Sequence, residues 1–308
     1  MSRLIFGNCG ELGFLVNDLR NCPIHSGGFV TTCDTIDSGS ARAPARGAQR
    51  PAGGGAAAAP RLDKRTYLDE PEAHYSVTLR DYGGGLCEIG WSFIALRSPF
   101  KAAGRGDSDQ RQLHEIRAIR RARSRLRQLI LSANADHLLT LTYRDNVTDF
   151  RQACDDLSRF NRVVRTHLPG WVFIAVPEKQ KRGAWHWHLA VVGRQDVVQL
   201  RANWLHVIGD GNIDVQKPKR GTNRRLSIVT YLGKYLAKGF EEGHRELNGH
   251  RFRASLGIQV PGESIAVPEH LRGEVSAYLI DQLRQRAGSV GFVWVDPVHS
   301  AGWACSWG

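Results

Sequence analysis

Between residues 137 and 240 the sequence predicts an α+β fold: a ferredoxin-like split βαββαβ antiparallel sheet followed by an additional tyrosine-bearing helix. Three observations predict it. Short β-patterned runs at 137–143, 171–176, through His186–His188 and at 212–215 are separated by longer runs of helical period at 148–168 and 195–208. The second and third runs are joined by a brief polar stretch containing Gly183, the signature of a hairpin. Helical periodicity then returns at 226–240, carrying Tyr231 and Tyr235 one turn apart.

Each element has its local reason. The helix over 148–168 begins near Thr148–Asp149, places Phe150, Cys154, Leu157, Val164 and Leu168 on one side, and stops at Pro169–Gly170. The helix over 195–208 carries Val197, Leu200, Trp204 and Val207. Both are expected on one face of the sheet. Upstream, residues 74–79 and 86–91 form a hairpin around Gly83–Gly85, and residues 108–133 form a basic helix. An apolar stripe of Leu113, Ile116, Ala122, Leu126, Leu129 and Ile130 runs along it, beside Arg117, Arg120, Arg121, Arg123, Arg125 and Arg127. The first 66 residues hold an Ala/Gly/Pro-rich linker that cannot bury enough apolar surface to offset its ordering entropy. The chain thus divides into 1–66, a hairpin and basic helix at 67–135, a central domain at 136–241, and a C-terminal appendage at 242–308 with a helix at 269–286 and a strand at 291–295.

Charge narrows the partners. The 308 residues carry 42 Lys and Arg against 30 Asp and Glu, a formal net charge of +12. No apolar run of about 18 residues is present to span a bilayer and no cleavable leader is evident, so a cytoplasmic protein with a polyanionic partner is expected. Six cysteines lack any C-x-x-C pair and read as reduced thiols; Cys9, Cys22, His25 and Cys33 fit no standard zinc spacing.

The chemistry gathers at two places. On a strand, side chains alternate faces, so His186 and His188 point the same way and Trp187 the other. Two imidazoles on one rigid face are half of a metal site, and Glu178 on the partner strand is the third ligand. Glu178 shares their face only if it pairs directly across from His186, which requires an odd-numbered turn or a bulge, with glycine in the left-handed conformation. In the second place, Tyr231-Leu232-Gly233-Lys234-Tyr235-Leu236-Ala237-Lys238 is a tandem Tyr-x-x-Lys repeat. Its tyrosines share one helical face, with Lys234 and Lys238 in an adjacent row. Thr140 and Thr142 share one face of the first strand. The loop Lys217, Lys219, Arg220, Arg224 and Arg225 is basic; with the threonines and Lys238 it is a candidate DNA contact.

Three stretches together, His137-Leu138-Leu139-Thr140-Leu141-Thr142, His186-Trp187-His188 and Tyr231 to Lys238, resemble the HUH endonuclease superfamily. The likeness is to the two-tyrosine rolling-circle replication initiators of single-stranded DNA phages and plasmids. It covers residues 136–240. The resemblance implies a central histidine strand open to a helix-free face of the sheet. It also implies cleavage of single-stranded origin DNA, extended or folded as a hairpin, by Tyr231 and Tyr235 with Lys234 assisting, through a 5′-phosphotyrosine link that frees a priming 3′-hydroxyl. One divalent ion, Mg²⁺ or Mn²⁺, is the expected cofactor. No G-x-x-x-x-G-K-[ST] motif occurs, so a host helicase and polymerase are expected partners. Two rival readings are a relaxase of the same superfamily, which usually places its tyrosine near the N-terminus and uses three histidines, and a non-catalytic nucleic-acid-binding protein on the same frame.

Overall fold

Alternating apolar residues make β1 (His74–Asp81) and β2 (Cys87–Ile94) a two-faced antiparallel ribbon, turned at Gly83–Gly85, where all three glycines have positive φ. The computed structural model describes residues 73–95, 111–216, 223–241, 251–296 and 300–308. The first 66 residues and the loop 217–222 lie outside them. Next come α1 (Arg111–Ser132) and β3 (His137–Tyr143). Helix α2 (Phe150–His167) is capped by Asp149, whose carboxylate accepts the Arg151 N–H. The hairpin strands are β4 (Phe173–Lys179) and β5 (Trp185–Val191). Helix α3 (Val197–Ile208) starts at Asp196, which accepts two backbone N–H groups, and ends at Gly209 with φ +84°. The chain continues through β6 (Gly211–Gln216), α4 (Arg224–Glu241), β7 (Arg253–Ala254) and β8 (Glu263–Pro268). A short 3₁₀ turn leads to α5 (Arg272–Ala287), β9 (Phe292–Asp296) and β10 (Ala301–Cys305).

Among the described residues, two five-stranded antiparallel sheets and five helices make this an α+β protein. Residues 98–262 form one compact unit, whose sheet runs β6-β3-β5-β4-β7. Its first four strands follow the split βαββαβ order expected from the sequence. Residues 1–97 and 263–308 form the other, with strand order β8-β1-β2-β10-β9. In it Tyr75, Val77, Ile89 and Trp91 pack with Val275, Leu279 and Leu283 of α5. The N-terminal hairpin and the C-terminal segment are therefore one body, and the basic helix is assigned with the central domain.

The central sheet is covered on both faces. On one, Leu139, Leu141, Trp187, Leu189 and Ile213 pack against Leu157, Phe160 and Val164 of α2 and Leu200 and Trp204 of α3. Each such side chain contributes about 1.5–3 kcal/mol by leaving water. Trp187 is fully buried, with its indole N–H donated to the Ala153 carbonyl at 3.1 Å. On the other face Leu138, Ile174, Val176 and Ala190 meet Leu126, Leu129 and Ile130 of α1 and Ile228, Leu232 and Leu236 of α4. The expectation of a helix-free face for the histidine strand is thereby corrected. The residues that cover it are legible as an apolar stripe, but what the stripe packs on is not.

Leu168, expected on the apolar side of α2, is instead 41 % exposed; as the C-cap, with φ −127°, it has left the helical period. The sequence pattern does not announce β7, β8 or β10. No helix among the described residues is long and apolar enough to cross a membrane.

Candidate active site

The site begins with the register of the β4–β5 hairpin. Glu178 lies directly opposite His186, and Lys179 opposite Trp185. The five residues 180–184 connect the strands. The Gln180 N–H donates to the Ala184 carbonyl, and the Gly183 N–H to the Gln180 carbonyl, each at 2.8 Å. Gly183 has φ +93°. The odd turn with a left-handed glycine, required if glutamate and histidines are to share a face, is present. On the other side of β5, β3 places Thr140 opposite His188.

His188 is held from several directions. Its Nε2 lies 2.8 Å from Glu178 Oε2, and its Nδ1 lies 3.2 Å from the Thr140 hydroxyl. The Tyr235 ring stacks on it, centroids 4.1 Å apart and planes inclined 22°, and the Tyr231 ring meets it edge-on at 5.7 Å. The two phenols touch: the Tyr235 hydroxyl donates to that of Tyr231 at 3.1 Å. Both tyrosines project from the face of α4 whose neighbours Leu232 and Leu236 are buried in the core beneath the sheet.

Charge follows from burial and contact. Burial alone would raise the Glu178 carboxyl, but hydrogen bonds from His188 and from Lys238 Nζ, 2.9 Å from Oε1, outweigh it and hold it below the usual range. Burial, and then the neighbouring His188, push His186 down to about 4, so it is neutral near pH 7. Its Nδ1 is 3.2 Å from the Gln180 amide nitrogen, whereas its Nε2 is buried with no hydrogen-bond partner among the described residues. The Tyr231 phenol is pushed well above its ordinary value by burial, by its hydrogen bond to Tyr235 and by the charges of Tyr235 and Glu178.

Among the described residues no group of three or more His, Cys, Asp or Glu is arranged to hold a metal ion as it stands. The donor chemistry nevertheless suits one. His186 is neutral with an orphaned Nε2, and the proton between His188 and Glu178 occupies two atoms that a cation would otherwise bridge. An unpartnered buried imidazole nitrogen is costly and asks for a ligand.

The remaining sequence-derived candidates divide. Lys238, expected on DNA, sits on Glu178, whereas Lys234 is exposed on α4. Thr140, also expected on DNA, is buried behind His188. The Thr142 hydroxyl donates to the Asn212 carbonyl at 3.1 Å. Arg224 is exposed; Arg225 donates to Asn134 Oδ1 at 2.6 Å and to the Leu131 carbonyl, bracing α4 against the end of α1. Lys217, Lys219 and Arg220 lie outside the described residues. Two participants escape the sequence reading: Thr140 as an orienting group, which depends on a β3–β5 register that sequence does not fix, and Gln180, which alternation from Glu178 could have found.

No curated protein and no solved structure matches this chain. Residues 136–240, the segment that carries both the histidines and the tyrosines, match a family of replication-associated proteins, the ORF2 and gene II protein type.

Proposed function

We propose that the chain is a replication initiator that nicks and rejoins single-stranded origin DNA, with Tyr231 and Tyr235 as nucleophiles. The observation that carries this reading is the packing of both phenols against His188, the imidazole that shares a face with His186 and Glu178. The likeness to replication-associated proteins supplies the substrate class.

In the reaction a phenolic oxygen attacks the phosphorus in line with the departing 3′-oxygen. The phenol loses its proton, the P–O3′ bond breaks, and the 3′-oxygen takes up a proton. One phosphodiester is exchanged for another, so the tyrosyl ester retains what the reverse attack by a 3′-hydroxyl needs. His186, His188 and Glu178 would hold one Mg²⁺ or Mn²⁺. When bound, such an ion supplies Lewis-acid neutralisation of phosphate charge. The chain's own part is positional. α4 holds both phenols beside the histidine face, burial keeps water from Tyr231, and Lys234 and Lys238 bring positive charge along the same helix. A pair of tyrosines permits a second transfer while the first remains esterified, which a replicating circle requires. A host helicase and polymerase would act on the exposed 3′-end.

Incubation of the protein with origin-strand oligonucleotides and Mn²⁺ should yield an adduct that survives denaturation and maps by peptide mass to Tyr231 or Tyr235. Chelator should abolish it, as should the double variant Tyr231→Phe/Tyr235→Phe. Nicking that persists in the double variant would refute the assignment.

A further inference from the structure

Helix α1 contains seven arginines and one acidic residue, Glu115. By contrast α2 mixes signs: Arg151, Arg159, Arg162 and Arg165 run alongside Asp155 and Asp156. A helix face that serves only to stay wet has no need of a single sign. Three of the α1 arginines, Arg117, Arg121 and Arg125, are exposed and follow one another at four-residue intervals. They therefore form a row along one side, each about 6 Å of rise beyond the last. Like charges at this spacing repel and weaken a helix. Here the helix is held by its opposite side, where Leu126, Leu129 and Ile130 share a core with Ile228, Leu232 and Leu236 of α4. The Arg225 hydrogen bonds to Asn134 and Leu131 fasten the end of α1 to the start of the tyrosine helix. α1 thus lies in the same layer as the two phenols and presents a cationic row to solvent.

We propose that Arg117, Arg121 and Arg125 form the track on which the phosphates of a single DNA strand are held beside the tyrosine helix. The proposal rests on the reading that the substrate is single-stranded DNA. A polyanion relieves the repulsion within the row and releases its own condensed counterions, so the contacts carry a salt signature that a purely structural role does not. Guanidinium groups suit phosphate oxygens through paired N–H donors and keep their charge at any working pH.

The test is fluorescence anisotropy of a labelled oligothymidylate against the full chain in the Tyr231→Phe/Tyr235→Phe background, titrated over a series of salt concentrations. For a single strand, every phosphate that the protein ceases to neutralise lowers the slope of log affinity against log salt by about 0.7. Arg117→Gln/Arg121→Gln/Arg125→Gln should therefore lower it by about 2, with the melting temperature unchanged. A charge-matched control, Arg151→Gln/Arg162→Gln/Arg194→Gln, alters exposed arginines on α2 and the loop before α3 and should leave the slope nearly as it was. A parental slope in the α1 variant, or an equal fall in the control, overturns the proposal. Adduct formation by the protein with both tyrosines intact is scored separately: binding through α1 without any adduct would refute the nickase reading and leave the track standing.

Discussion

Four contacts converge on the His188 ring, and they are not equivalent. Glu178 and the tyrosines face the reacting side, whereas Thr140 acts from behind, on Nδ1. A hydroxyl there selects the orientation in which Nε2 points toward Glu178, the usual way a second partner orients a ligating imidazole. Thr140→Val keeps the shape and removes the hydroxyl, so it should weaken Mn²⁺ binding about 10-fold, with Thr140→Ser close to the parent, as read by calorimetry. Equal affinity in the Val variant would show the hydroxyl to be irrelevant. His186 gives a pH prediction. Its folded value, about 4, lies below the ordinary histidine value of about 6.5. Between these the unfolded chain binds a proton that the folded one does not, so stability falls as pH drops from about 6.5 toward 4 and is fully present above that window. In chelator, the urea midpoint of the parent should decline through this window more steeply than that of His186→Gln. Parallel curves would contradict the burial of a neutral ring. These residues are legible in the sequence because the two-residue period of a strand and the four-residue spacing of a helix fix shared faces locally. The contact between Tyr235 and His188 is legible only through family likeness, since nothing local joins residues 188 and 235.

At the scale of elements, the hairpin turn decides whether the carboxylate reaches the histidines. One residue inserted between Lys181 and Arg182 shifts the pairing by one and turns Glu178 to the face occupied by Trp187. Such a variant should retain the fold, by circular dichroism, yet lose Mn²⁺ binding; retained binding would mean that Glu178 is not a ligand. Gly183→Ala is milder. The added methyl meets only Thr148 Cγ2, at 3.5 Å, but φ +93° is unfavourable for any side chain. A loss of about 1–2 kcal/mol is expected by urea denaturation. The order of elements is readable from periodicity and caps: Asp149, Asp196 and Gly209 mark helix ends by supplying hydrogen bonds or a left-handed residue. The long-range pairing is not. β8 meets β1 across nearly two hundred positions, and β10 is too short and too rich in small residues, Ala-Gly-Trp-Ala-Cys, to announce itself. Gly302 is there because Trp91 occupies the space a Cβ would need, a reason visible only once the strands are side by side.

For the whole molecule, the division at residues 98 and 262 implies that the tyrosines, the histidines, Glu178 and α1 belong to one body. A fragment of residues 98–262 should therefore fold with its own melting transition and still form the oligonucleotide adduct. Failure to fold would show that the flanks contribute stability that its own core lacks. The other body has a different dependence on the chain. Its central ribbon, β1 and β2, is made early, but both neighbours of that ribbon, β8 and β10, are made last. During translation the half that bears the tyrosines can thus be finished while Tyr75, Val77, Ile89 and Trp91 still await α5, with two open strand edges on display. A transcript truncated shortly after residue 262 would yield an intact tyrosine–histidine centre yoked to an adhesive ribbon. Chaperone capture and insolubility, rather than lost chemistry, would be the phenotype of such a late stop codon.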